Sequence, residues 1–282
     1  MNKVKCNVCF RGCELGEEQV GACMARVCRD NKIIAENYGY ITSIALDPIE
    51  KKPLNMFYPG SMILSIGSYG CNLKCPFCQN VSISLADDRV RPQAEYIEPK
   101  ALCDIAVGLK AKGNIGIAYT YNEPLVGYEY VCDTARLIRE EDMKNVVVTN
   151  GSVNEKIIEE ILPYIDAFNI DLKCFNEEYY RNVLKGNFET TKRFIEMAVR
   201  SAHIELTTLI IPDENDTEEE MRELSDWVHE LEKKYDKHIP LHISRFFPRS
   251  KYSDRQPTDV RKILRLAEVA REKLKYVYEG NI

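Results

Sequence analysis

From residue 62 onward the sequence alternates short β-prone runs with amphipathic helical patterns, and it does so six times. The β-prone runs cover 62–70, 114–121, 145–150, 167–173, 204–212 and 240–246. Helical patterns at 99–112, 125–139, 155–162, 190–200 and 217–235 separate them, and a last helix is predicted over 259–276. Thr217-x-x-Glu220 reads as a capping box, with Met221, Leu224, Val228 and Leu231 following at helical spacing. Strands that alternate with helices imply a parallel sheet covered by helices, since each parallel connection needs a long crossover. Eight units close a barrel, so six predict an α/β architecture that stays open: a partial barrel.

The first 60 residues break this rhythm. They carry five of the eleven cysteines, β-prone stretches at 32–35 and 40–46, and turn signals at Asp47-Pro48 and Tyr58-Pro59-Gly60. The expected organisation is therefore a small cysteine-rich, metal-binding unit over 1–60 and the barrel over 61–282. The N-terminus lacks the apolar stretch of a signal peptide, and no apolar run approaches the roughly 20 residues of a spanning helix. The expectation is a cytoplasmic chain without a membrane partner, whose thiols stay reduced. The formal net charge of −6 gives no general attraction for nucleic acid. Acidic side chains crowd 213–237 and basic ones 245–275, which suggests two solvated helix faces of opposite sign.

In a reducing compartment, clustered cysteines point to metal or cluster binding rather than disulfides. Cys71, Cys75 and Cys78 follow the first barrel strand with C-x3-C-x2-C spacing. Thiolates suit iron–sulfur clusters or zinc, and a cubane cluster ordinarily takes four. Three cysteines leave one iron open for another ligand, and barrel chemistry sits in loops at the strands' C-terminal ends. A zinc staple completed by a distant fourth ligand is the structural alternative. Cys6, Cys9, Cys13 and Cys23 form a second candidate site, for zinc or an auxiliary iron–sulfur cluster. Its spacing matches neither a zinc ribbon nor a bacterial ferredoxin run. Cys103 and Cys132 lie in helical patterns and read as core.

Several strands are polar on one face: Asn169, Asp171 and Lys173; Glu205 and Thr207; His242 and Ser244. Burying such groups without partners costs about 1–3 kcal/mol each. They therefore pair with one another or with a polar ligand, and Asp171 and Lys173, at a strand's end, favour the ligand.

The C-x3-C-x-aromatic-C loop resembles the motif of the radical S-adenosylmethionine (SAM) superfamily. Tyr119-Thr120-Tyr121-Asn122-Glu123-Pro124 resembles its Gly-Gly-Glu-Pro-like segment, with Tyr121 and Asn122 in place of the glycines. Val148-Thr149-Asn150-Gly151, Ile170-Asp171-Leu172-Lys173, Ile210-Ile211-Pro212 and Leu241-His242-Ile243-Ser244 extend the likeness to the activating enzymes of pyruvate formate-lyase and related glycyl radical enzymes. Cys6-x2-Cys9-x3-Cys13, Gly21-x-Cys23-x-x-Arg26 and Asp47-Pro48-Ile49-Glu50-Lys51-Lys52-Pro53-Leu54 resemble the AmmeMemoRadiSam-system branch. After the fifth-strand proline, Asp213 stands where members usually have glycine.

The resemblance implies a partial (β/α)6 TIM-like radical SAM barrel preceded by a small cysteine-rich metal-binding subdomain. It implies a [4Fe–4S] cluster on Cys71, Cys75 and Cys78, and SAM held by Phe77, Asn122, Glu123, Asn150, Asp171, Lys173 and His242. Reductive cleavage of SAM to a 5′-deoxyadenosyl radical, fed by a donor such as flavodoxin or ferredoxin, would abstract hydrogen from a protein or peptide. A small-molecule substrate is the first alternative. A non-enzymatic iron–sulfur or zinc protein for electron transfer or metal delivery is the second.

Overall fold

A computed structural model describes residues 3–85 and 93–282. Its centre is an eight-stranded sheet: β1 (Ser43–Pro48), β2 (Met62–Gly67), β3 (Asn114–Thr120), β4 (Lys144–Thr149), β5 (Ala167–Asp171), β6 (His203–Ile210), β7 (Leu241–Arg245) and β8 (Val277–Gly280). The strands lie side by side in chain order. β2 to β8 are parallel, while β1 runs antiparallel to β2. Helices α1 (Pro99–Gly108), α2 (Tyr128–Glu140), α3 (Glu155–Ile161), α4 (Phe188–Ser201), α5 (Glu218–Tyr235) and α6 (Val260–Arg271) provide the six crossovers. No pairing joins β1 to β8 among the described residues, so the barrel is partial, as the six-fold rhythm implies.

The structure adds two strands to the expected six. β8 follows the last helix and is too short, at four residues, to stand out from its flanks. β1 falls within the expected N-terminal unit but pairs with β2 through six residues, Ser43↔Gly67 to Pro48↔Met62. The barrel sheet therefore begins at Ser43, upstream of the expected boundary at residue 60. Ahead of it lie two small hairpin pairings, Val4–Lys5 with Glu14–Leu15 and Arg26–Arg29 with Lys32–Ala35.

Apolar residues of the strands and the inner helix faces form one core, which includes Leu64, Ile117, Val147, Phe168, Leu206 and Ile243. Thr217 caps α5 by accepting the Glu220 N–H, as the capping box predicts. The reciprocal half does not form, because the Glu220 carboxylate accepts the Phe175 N–H at 2.7 Å. The acidic and basic tracts are not two separate solvated faces. Glu218 pairs with Arg265 at 2.8 Å, Asp226 with Lys273 at 3.1 Å and Asp216 with Lys262 at 3.5 Å. Such exposed pairs add little stability individually, but they neutralise the charge asymmetry internally. No helix among the described residues is long and apolar enough to cross a membrane.

The lower end of the barrel is closed by residues 49–57. Ile49, Leu54 and Phe57 pack against Ile63, Ala118, Val146 and Ala167. Glu205, fully buried, organises this floor: its carboxylate accepts the Asn55 and Met56 N–H groups at 3.0 and 2.8 Å. It also meets His203 Nε2 at 2.9 Å and His242 Nε2 at 2.6 Å. Asn169, the cross-strand neighbour of Glu205, bonds to Thr207 and donates to the Pro53 carbonyl. The polar groups of the lower barrel thus find partners within the protein.

Burial alone would raise the Glu205 carboxyl, but hydrogen bonds from both histidines and the Met56 N–H bring it down to about 2. Its stabilisation is therefore complete above the ordinary glutamate range and is lost as pH falls toward the folded-state value. Glu205→Gln should cost about 3 kcal/mol at neutral pH, since it leaves the floor without its anion. It should also abolish the part of the acid-side stability loss that the wild type owes to this group. Thermal melting of both proteins from neutral to strongly acidic pH checks the two effects.

Candidate active site

The β2 strand delivers the chain directly into the three-cysteine loop. Gly70 has φ +91°, and a Cβ there would stand 2.7 Å from both the Cys23 carbonyl oxygen and the Ala25 Cβ. Glycine is needed because the N-terminal unit presses on the loop from behind. The Cys71 N–H donates to the Cys23 carbonyl at 3.0 Å. Arg11 donates to the carbonyls of Asn72 and Lys185, each at 2.7 Å. Asn150 Nδ2 reaches the Asn72 side-chain oxygen at 3.0 Å and Cys71 Sγ at 3.6 Å. Sequence reading missed Arg11, Gly70 and Asn72, whose work is to hold the loop's backbone rather than to bear chemistry.

Cys71, Cys75 and Cys78 line one wall of a cavity of about 430 Å³ at the strands' C-terminal ends. Phe77, Asn122, Glu123, Asn150, Asp171 and Lys173 line it as well. Phe77 is buried beside the cysteines, with its ring 6.1 Å from that of Tyr252. Asn122 accepts the Ser68 N–H and donates to the Gly70 carbonyl, both at 3.0 Å, and so ties β3's end to the loop. Lys173 and Asp171 form an ion pair at 2.7 Å.

Glu123 is 1% exposed. Its Oε1 accepts from Thr149 Oγ1 at 2.7 Å and from the Leu125 N–H at 3.1 Å, and its Oε2 accepts the Asn150 N–H at 2.8 Å. Burial outweighs these bonds and pushes its carboxyl up to about 7. A cationic ligand would restore the anion.

His242 is the one member of the expected cofactor set that the structure does not bring to this cavity. Its ring is held by Glu205 in the floor and stacks on Tyr278 at 5.2 Å. Ser244, two residues on and on the same face, lines the cavity instead. The strand's alternation was legible, but the depth of each layer was not.

Of the three residues that stand in place of glycines, Asn122 lies outside the left-handed region, whereas Tyr121 at φ +73° and Asp213 at φ +65° sit in it. For a bulky residue such as Tyr121 this is unusual. It packs over Gly67, where a Cβ would come within 2.8 Å of its ring, and its hydroxyl donates to Asp47 Oδ2 at 3.0 Å.

The donor set fits an iron–sulfur cluster. All eleven cysteines are free thiols. Burial pushes the Cys71 thiol well up and that of Cys75 to about 12, so thiolates here need a metal's positive charge. Among the described residues no three His, Cys, Asp or Glu side chains converge as ligands of a single ion. A cubane, with one thiolate per iron, holds its sulfurs apart. Cys6, Cys9, Cys13 and Cys23 surround a separate small cavity with Arg26 and Val126.

Three thiols just past the first parallel strand, β2, with no fourth cysteine in the loop, fit a barrel enzyme that works through a cluster with an open iron. The chain belongs to the radical SAM superfamily, whose sequence pattern matches residues 65–228. It is therefore a radical SAM enzyme, with a [4Fe–4S] cluster and SAM as cofactors. An uncharacterised protein of Methanocaldococcus jannaschii is 36% identical over 283 residues, covering 100% of this chain and 82% of that protein. Pyruvate formate-lyase 1-activating enzyme of Escherichia coli (strain K12) is 22% identical over 165 residues, covering 57% of this chain and 66% of the enzyme. In fold, the chain resembles Streptococcus suis SuiB bound to S-adenosylmethionine, with a TM-score of 0.57 and 16% identity over 75% of this chain and 48% of SuiB.

Gly70→Ala tests the contact between the N-terminal unit and the loop without touching a cysteine. It should lower stability by about 1–2 kcal/mol from left-handed strain alone, and further through the Cβ contacts at 2.7 Å. It should also reduce the iron bound per chain. Thermal melting and an iron assay on anaerobically reconstituted protein check both.

Proposed function

We propose that this enzyme abstracts hydrogen from a protein or peptide substrate, as an activating-enzyme-like protein supplied with electrons by a flavodoxin or ferredoxin. One observation carries the site reading: the three thiols share a cavity with a buried carboxylate, Glu123, and with the Asp171–Lys173 ion pair. When bound, the cluster and SAM supply a 5′-deoxyadenosyl radical as the hydrogen-abstracting agent. Relationship to the pyruvate formate-lyase 1-activating enzyme supports the substrate class.

The chain's own residues bind and orient. Glu123 receives the SAM amino group by a charge-assisted bond, with Thr149 and Asn150 fixing the carboxylate's direction. An ammonium partner lowers its pKa from about 7, so SAM binding in this reading weakens as pH drops through the neutral range. Lys173 and Asp171 line the opposite strand ends and receive polar groups of SAM. Phe77 lies against the adenine, and Asn122 and Asn150 hold the segments that carry these contacts. His242 acts from below by keeping the floor in register. Cys6, Cys9, Cys13 and Cys23 hold a second metal, either an auxiliary iron–sulfur cluster, whose irons take one thiolate each, or zinc, for which the four thiols would have to draw closer together. This is supported by their sharing one cavity. The cysteine-rich unit that precedes the barrel is stapled by that metal.

Anaerobic purification, counts of iron and zinc, reduction and addition of SAM test the proposal. The wild type should release 5′-deoxyadenosine and methionine. Replacing Cys71, Cys75 and Cys78 with Ala should abolish release. Replacing Cys6, Cys9, Cys13 and Cys23 should remove the second metal and lower the melting temperature while some cleavage persists. Complete loss of cleavage in that second set alone, with its loop cluster intact, would overturn the division of roles.

A further inference from the structure

Residues 47–54 carry charges that the binding of SAM does not use. Lys52 is only 3% exposed, an uncommon position for an ammonium, yet it lines the cavity. Its Nζ donates to Asp47 Oδ2 at 3.0 Å, stands 3.5 Å from the Tyr121 hydroxyl, and lies 4.8 Å from the centre of the Tyr121 ring. Lys51, also at the cavity, pairs with the other oxygen of Asp47 at 3.2 Å. Burial would raise the Asp47 carboxyl, but Lys52, Tyr121 and Lys51 bring it down to about 2, so it is an anion at working pH.

The charge count at this corner is two ammonium groups against one carboxylate, a net charge of +1. Apart from the three cysteines of the cluster, the other charged side chains among the described residues that line the cavity are already matched. Asp171 and Lys173 neutralise each other, and Glu123 is reserved by its three donors and by SAM. Among the described lysines, aspartates and glutamates of the lining, the unmatched charge is therefore positive and sits at this corner. An ammonium has three donors, and Lys51 and Lys52 each have capacity left for an incoming acceptor. The corner is also held rigidly. Tyr121 keeps a left-handed backbone that strains a bulky residue, with its hydroxyl on Asp47 and its ring against Gly67.

We propose that this corner is a substrate subsite for a carboxylate. Lys52 and Lys51 hold the carboxylate of the molecule from which hydrogen is taken, and Asp47 and Tyr121 fix the two ammonium groups. A carboxylate, with one negative charge, matches the net charge of the corner, whereas a phosphate monoester carries nearly two at neutral pH. The proposal rests on the radical SAM reading of the cavity for its claim that the occupant is the substrate.

The test uses cluster-loaded, SAM-bound protein left unreduced, so that nothing turns over. Calorimetry compares propionate with propionamide, and N-acetylglycylglycine with its amide. Each acid should bind about ten-fold more tightly than its neutral twin, the size of one charge-assisted hydrogen bond. Lys52→Gln should erase that preference. Lys51→Gln, at an exposed residue that cannot threaten the fold, should reduce it. Tighter binding of the peptide acid supports a peptide carboxylate as the source, and tighter binding of propionate supports a small acid. Equal affinity within both pairs, no saturable binding of either acid in the millimolar range, or a preference unchanged in both lysine variants would overturn the proposal. SAM cleavage by the reduced wild type without added acid reports separately on the radical chemistry. If cleavage fails while the acid preference holds, the functional reading is wrong and the carboxylate site stands.

Discussion

The architecture of the active end depends on keeping one carboxylate in place where water cannot reach it. Glu123 draws Thr149, the Asn150 N–H and the Leu125 N–H onto two oxygen atoms. These bonds join the end of β3 to the end of β4 and start the turn that leads into α2. A buried carboxylate with fewer donors would be costly, and one with no cationic ligand is left close to protonation. The site is thus assembled around one buried, hydrogen-bonded carboxylate rather than around a shape. Asn150 passes the constraint onward to Asn72 and Cys71, so the acid and the thiol wall share one hydrogen-bonded frame.

The same frame is backed from outside by the cysteine-rich unit. Cys23 offers its thiol to one cavity and its carbonyl to the Cys71 N–H of the other. Arg11 joins the loop to the Lys185 carbonyl in the adjoining segment, whose Leu184 carbonyl accepts the Lys74 N–H at 2.9 Å. Two cysteine groups that are separate in sequence are therefore one residue's backbone apart in space. Whatever orders the first group also stiffens the second.

The repeating strand–helix rhythm and the three-cysteine loop were legible because each rests on local pattern: alternation, caps and fixed ligand spacing. Glu123 was legible as a carboxylate close to a strand's end; it lies three residues past β3, where it caps the turn Pro124–Gly127. His242 was legible as a polar strand residue but not as a floor residue, since depth within a barrel depends on the stagger of strands. β1 escaped assignment to the barrel because an antiparallel partner on the edge is a long-range choice that no local pattern encodes. The tracts at 213–237 and 245–275 looked like separate faces until packing brought α5 beside α6 and paired Glu218 with Arg265. The Asp47–Lys52–Tyr121 group was invisible for the same reason, because its members come from an edge strand, a floor segment and a strand end.

The floor made by residues 49–57 has a consequence for traffic. With Glu205 gripping Asn55 and Met56, the barrel is a cup rather than a tube at that end. A molecule that enters from the strands' C-terminal ends cannot leave beneath. An occupant of the cup cannot exchange through the floor, so the floor can stay packed while the loops at the other end admit and release ligand.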